Sequence, residues 1–122
     1  MLFGGNHKYK RCDEWETPIE YLEVIEPLIP KDLTINDPFY MNGNVKTKWL
    51  TLGRDIIHKK EDFFKIKKDD SKVIYVSSPP YSKINKILEH LFYLDKPFIM
   101  LMRYLMKPNK VKLKLLSQKL VL

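Results

Sequence analysis

Two clusters in the sequence have residue types and spacing that could do chemistry: Ser78-Pro79-Pro80-Tyr81 and Asp37-Pro38-Phe39-Tyr40-Met41-Asn42-Gly43. In the first, two consecutive prolines stiffen the backbone and remove two N–H donors, so the Pro79 carbonyl can be held outward as a fixed acceptor. Ser78 adds a hydroxyl acceptor, and Tyr81 offers a flat face for stacking. Two acceptors beside an aromatic plate match what an exocyclic amino group needs on a base turned out of its stack. The same four residues equally suit a Pro-Pro turn that does no more than end a strand. The other reactive types are scattered. His7, His58 and His90 lack metal-ligand spacing and read as surface or packing residues, Cys12 has no His partner, and no metal site is expected.

The elements that must position these clusters can be read from periodicity. At Thr17-Pro18-Ile19-Glu20 the helix-start signals coincide: Thr17 to cap, Pro18 at the first helical position and Glu20 to complete a capping box. Ile19, Leu22 and Ile25 then share a face, and Pro27 ends the helix. A short extended segment near Leu33 to Ile35 leads into the Asp37 cluster. A helix over Asn44 to Leu52 turns Val45, Trp49 and Leu52 inward, with Gly53 as its stop. Arg54 to His58 reads as a short strand, and Phe63-Phe64 as a packing pair. Val73-Ile74-Tyr75-Val76 has the composition of a strand buried on both faces. It runs directly into Ser77 and the Ser78 cluster. Ile84, Ile87, Leu88, Leu91 and Leu94 mark a helix, and Phe98 to Leu101 another apolar strand. This alternation predicts an α/β fold, a mostly parallel sheet with crossover helices. In an open α/β sheet, ligands sit beyond the carboxyl ends of the strands, where both clusters fall.

A chain of 122 residues holds one domain, and 44% hydrophobic with 12% aromatic content excludes a purely solvated, disordered chain. One cysteine excludes an internal disulfide framework and points to a reducing, intracellular setting. Phe98 to Met102 is the longest apolar run, far short of the ~20 residues that span a bilayer. No signal-peptide pattern opens the chain, so a soluble protein without membrane association is expected. The formal charge of +7 is unevenly placed: Arg103, Lys107, Lys110, Lys112, Lys114 and Lys119 carry six positive charges with no acid among them. Residues 1–12 therefore read as a flexible lead, 13–102 as the domain and 103–122 as a basic tail. Val111, Leu113 and Leu115 alternate as in a strand, whereas Leu113, Leu116 and Leu120 also suit a helix.

Across residues 13–102 the chain resembles the class I S-adenosylmethionine-dependent DNA amino-methyltransferases, in particular compact phage- and giant-virus-type adenine methyltransferase-like proteins. Four segments carry the resemblance in the family's order. Asp13-Glu14-Trp15-Glu16-Thr17-Pro18 resembles the amino-terminal segment that helps hold the cofactor. Asp37-Pro38-Phe39 through Gly43 resembles the cofactor loop after the first strand. Glu61-Asp62-Phe63-Phe64 resembles the acidic site near the cofactor adenine, and Ser78-Pro79-Pro80-Tyr81 the catalytic tetrapeptide. The resemblance implies a Rossmann-like core, S-adenosylmethionine as methyl donor and DNA as partner. It implies cofactor contacts from Trp15, Thr17, Pro18, Asp37, Phe39, Gly43, Asp62 and Phe63. Ser78, Pro79, Pro80 and Tyr81 would act on the base. Adenine is the favoured target; Ser78 is more typical of the cytosine enzymes. In a viral setting the location would be host cytoplasm or nucleus.

Three departures from the family pattern favour an alternative, a catalytically inactive remnant with a structural or nucleic-acid-associated role. His58-Lys59-Lys60 stands where the family places an acid for the cofactor ribose, and a lysine accepts no hydrogen bond. The loop after Asp37 contains one glycine, Gly43. The chain also looks truncated after Met102, with the sheet incomplete. An unfinished sheet would expose an edge, which predicts a homodimer.

Overall fold

Val73–Ser77 is buried along its whole length, so this strand needs cover on both faces, and the rest of the chain supplies it. The computed structural model describes the backbone of residues 16–107 and 110–118 and the side chains of residues 16–102. Helix α1 (Ile19–Ile25) runs into a 3-10 turn at Glu26–Leu28, followed by strand β1 (Thr34–Asn36), helix α2 (Asn44–Thr51) and strand β2 (Ile56–Ile57). A 3-10 turn at Phe63–Lys65 precedes strand β3 (Val73–Ser77), and another at Tyr81–Lys83 leads into helix α3 (Ile84–Leu94). Strands β4 (Phe98–Lys107) and β5 (Lys110–Gln118) complete the sheet.

The strand order is β2-β1-β3-β4-β5. The first four are mutually parallel and β5 runs antiparallel to β4. Side-chain alternation divides the core into two layers. On one face Ile35, Ile74, Val76, Ile99 and Leu101 pack against Leu22 and Ile25 of α1 and Trp49 of α2. On the other, Val73, Tyr75, Phe98 and Met100 pack against Ile87, Leu91 and Leu94 of α3 and against Phe63. The molecule is thus an α/β domain with helices on both faces of a mostly parallel sheet.

The connections set where a ligand can sit. From β1 the chain crosses through α2 to β2 on one side, then returns to β3 on the other side of β1. Because the segments leaving β1 and β3 diverge to opposite faces, a crevice opens between their carboxyl ends. A buried anchor holds α1 beside it. Arg54 donates from Nε to Glu26 Oε2 at 3.0 Å and from its second amino group to the Ile29 carbonyl at 2.6 Å. Lys31 and Arg54 together hold the Glu26 carboxyl below its usual range.

The observed elements differ from the sequence reading in three places. Thr17 does not cap α1: the helix starts after Pro18, with no side-chain cap, because the buried Thr17 hydroxyl shares a hydrogen bond with Ser78 instead. The strand expected over Arg54 to His58 shrinks to Ile56–Ile57, since Arg54 turns away to Glu26 and the Ile29 carbonyl. Past the boundary drawn at Met102, β4 continues to Lys107, and Lys110–Gln118 is a strand. Its antiparallel pairing covers the outer edge of β4, which the sequence reading leaves open. Residues 1–12 and Trp15, with Cys12 and His7, lie outside the described residues. No helix among the described residues is long and apolar enough to cross a membrane.

Leu91 is fully buried between α3 and the sheet. Leu91→Ala is expected to lower the unfolding free energy by about 2–5 kcal/mol in urea titrations. Leu88→Ala, at a half-buried position on the same helix, should cost distinctly less.

Candidate functional site

The crevice between β1 and β3 is built around a carboxylate that the fold removes from water. Asp37 follows the last residue of β1 and is 4% exposed. A buried carboxylate must be compensated by donors; two reach its Oδ1, and a third donor holds its backbone carbonyl. Ser77 Oγ, at the end of β3, donates to Asp37 Oδ1 at 2.7 Å. The Phe39 N–H, two residues on in the loop, donates to the same oxygen at 3.1 Å. His58, just after β2, donates from Nδ1 to the Asp37 carbonyl at 2.8 Å and lies 3.9 Å from Oδ1. Burial dominates the balance and pushes the Asp37 carboxyl up to about 6; the Ser77 hydrogen bond, the His58 ring and the Phe39 N–H pull it back down.

The loop after Asp37 folds over this group. Tyr40 stacks on His58 with ring centroids 4.8 Å apart. The chain then turns through left-handed backbone at Met41 (φ 50°) and Gly43 (φ 80°) before α2 begins. Gly43 suits the turn, where a Cβ would approach Tyr40 Oη to 2.8 Å. Met41 adopts the second left-handed turn despite its side chain, a conformation that non-glycine residues take at a cost. On the rim, Lys48 donates to the Thr17 carbonyl at 2.8 Å and pairs with Glu16 at 3.1 Å, and Asn42 donates to Glu16 at 3.3 Å. Lys48 and Asn42 hold the Glu16 carboxyl below its usual range. These bonds tie the segment before α1 to α2 and bring Thr17 over the crevice.

Two adjoining clefts open here. The inner one, with a cavity volume of ≈ 20 Å³, is lined by Thr17, Asp37, Phe39, Ser77 and Ser78. The outer one has a cavity volume of ≈ 350 Å³ and is lined by Phe39, Asp62, Phe63, Ser78 and Pro80. Phe39, Tyr40, Met41 and Ser78 belong to both. In the outer cleft the rings of Phe39 and Phe63 lie 5.0 Å apart. Asp62 caps the 3-10 turn beside them, accepting from the Phe64 N–H at 3.0 Å. The site therefore has a polar end around Asp37 and an aromatic end around Phe63. The outer cleft has the volume of a small-molecule site, whereas the inner one has room for about one water.

The residues singled out from sequence divide accordingly. Thr17, Asp37, Phe39, Asp62, Phe63, Ser78 and Pro80 meet across these two clefts. Pro18 caps α1, Gly43 starts α2, and neither lines a cleft; Pro79 is buried behind Ser78. Tyr81 lines a neighbouring opening, beyond Phe64 and Lys83, and not the cleft that holds Ser78. Sequence reasoning missed Ser77 and left His58 among the surface or packing residues. The signal for both was positional: each lies at the carboxyl end of a parallel strand that neighbours β1.

The proton linkage of Asp37 is measurable. Its carboxyl binds a proton more tightly in the folded protein than at the ordinary value of 3.8. Its contribution to stability is therefore most favourable below the ordinary value and declines as pH rises from 3.8 to about 6. Asp37→Asn should flatten that part of the stability–pH profile in denaturant titrations. An equal slope in wild type and variant would contradict it.

No protein-family model matches the chain, and neither the curated proteins nor the solved structures contain a match, so a functional reading rests on the chemistry of the site.

Proposed function

We propose that the protein binds S-adenosylmethionine in the joined clefts and methylates an exocyclic amino group of a DNA base, with adenine the favoured target. The observation that carries this reading is the convergence of separate sequence segments at one topological switch point. Thr17 reaches Ser78, Ser77 holds Asp37, and Phe39, Asp62, Phe63, Ser78 and Pro80 share one cleft. The donor set suits the ligand. A buried carboxylate can accept from an ammonium group at one end. At the other, two aromatic rings and an exposed carboxylate can take a flat amino-bearing ring.

When bound, S-adenosylmethionine supplies an electrophilic methyl group. Asp37 and Thr17 would hold its polar end, and Phe39, Asp62 and Phe63 its adenine. The chain's own residues would then orient the acceptor. Ser78 Oγ shares one hydrogen bond with Thr17, and a hydroxyl oxygen has capacity to accept another. With the Pro79 carbonyl it would accept from the base amino group, leaving the nitrogen lone pair directed at the methyl. Tyr81 would stack the base from the neighbouring opening. Catalysis of this kind is positioning and electrostatics, with no covalent intermediate on the protein.

A second reading, cofactor binding without turnover, draws on two observations: Ser78 is engaged by Thr17, and Tyr81 faces a separate opening. Calorimetry with S-adenosylmethionine tests the first step. Binding is expected to strengthen as pH rises through about 6, where Asp37 becomes charged. Asp37→Ala should weaken it about tenfold or more, the scale of a charge-assisted hydrogen bond. Absence of heat at millimolar ligand would refute cofactor binding. Transfer of a labelled methyl group to DNA, lost in Tyr81→Ala, separates the two readings.

A further inference from the structure

The first hundred residues are almost neutral, with sixteen Lys+Arg against fifteen Asp+Glu, yet the fold segregates these charges. Beside the outer cleft, two further openings meet at Phe64. One is lined by Tyr81, Lys83 and Lys86, from the 3-10 turn and first turn of α3. The other is lined by Lys65, Lys67, His90 and Tyr93. No acid lines either opening among the described residues; Glu89 of α3 lies outside both linings. The four lysines are exposed, and none makes an ion pair within the described residues. Elsewhere among the described residues Lys31, Lys46, Lys48, Arg54 and Lys96 are paired with acids, whereas Lys59, Lys60, Lys68 and Lys72 also make no ion pair but lie outside both linings.

Aromatic rings lie among these lysines. Phe64 is 38% exposed and Tyr93 55%. They are fixed in place through His90, whose ring stacks on Tyr93 at 5.5 Å, meets Phe64 at 5.9 Å and hydrogen-bonds the Ile66 carbonyl at 2.9 Å. The patch thus sets two partly exposed rings beside four lysines that make no ion pair among the described residues. That combination is the chemistry of a single-stranded nucleic acid site, in which lysines follow the phosphates and rings receive unstacked bases. A duplex would offer the lysines the same phosphates but no free base faces for the rings.

We infer that the surface formed by the Phe63–Lys65 turn, the segment to Lys67 and the outer side of α3 binds single-stranded nucleic acid, without need of a cofactor. Phe64 and Lys83 line both this surface and the outer cleft, so a strand held here passes the mouth of the crevice. Its meaning as an acceptor path rests on the methyl-transfer reading; the binding does not.

The test is fluorescence anisotropy of a labelled single-stranded oligonucleotide titrated with the full chain, with no S-adenosylmethionine present. Binding is expected to weaken as salt rises. The triple variant Lys65→Ala, Lys67→Ala, Lys86→Ala should bind about tenfold more weakly or worse, with the slope of log K against log salt reduced by about 2. Tyr93→Ala should lose about fivefold or more with the slope unchanged, as expected for loss of a stacked base. Phe64→Ala should behave likewise, and circular dichroism confirms that each variant is folded. A duplex of the same sequence should bind more weakly and be insensitive to Tyr93→Ala. Absence of binding, or equal affinity of wild type and triple variant, would overturn the inference. So would loss of binding only when Lys110, Lys112, Lys114 and Lys119 are changed to Gln, which would assign it to the carboxyl-terminal segment. Because no cofactor is present, these outcomes are independent of the calorimetry that tests S-adenosylmethionine binding.

Discussion

A carboxylate placed in a protein interior needs donors delivered to it by the fold, and Asp37 draws on two segments for its carboxylate and a third for its backbone carbonyl. Ser77 comes from β3, His58 from the end of β2 and the Phe39 N–H from the loop that Asp37 itself begins. The contacts are possible because β1 lies between β2 and β3 with all three strands parallel. Their carboxyl ends therefore open on the same side. Even so, burial outweighs the donors and leaves the group more easily protonated than an ordinary aspartate. An acid held in this balance would be drawn to its charged form by a cation brought beside it.

Everything else near the site limits how far these groups can move. The two hydrophobic layers clamp the parallel strands from both faces, with Trp49 fully buried on one side and Ile87 and Leu91 on the other. Arg54 fastens α1 to the segment before β2, and Lys48 fastens Thr17 to α2. Thr17 thereby reaches across to Ser78, sixty-one residues later in the chain. The polar end of the crevice is rigid for these reasons. The aromatic end rests on a short 3-10 turn, with Phe63 buried and Phe64 partly exposed.

Much of the architecture was legible in the sequence because local rules and burial agreed. The Ile84–Leu94 periodicity and the Val73–Val76 run each allow one packing, and the structure adopts it. The carboxyl-terminal segment was not legible, since its apolar residues satisfy both a period of two and a helical spacing; its strand state follows from pairing with β4. Thr17 was misread for a related reason. A threonine before proline carries a capping signal, but a partner far away in sequence won its hydroxyl. Ser77 passed unnoticed because, within a run of strand formers, nothing local separates a serine that ends a strand from one that bonds a buried acid.

Residue types, order and spacing were enough to establish an α/β alternation, the two clusters at strand ends and the core faces of the helices, since each depends on neighbours a few positions apart. They were also enough to place most of the net charge in the last 22 residues. Which cations meet acids is a different matter. Lys96 finds Asp69 and Arg54 finds Glu26, while Lys65, Lys67, Lys83 and Lys86 gather around exposed rings without forming an ion pair among the described residues. The folded domain is nearly neutral in sum but divided in space. Net charge is a property of composition; a surface potential arises from distances between residues that the chain keeps far apart until the sheet and its helices bring them together.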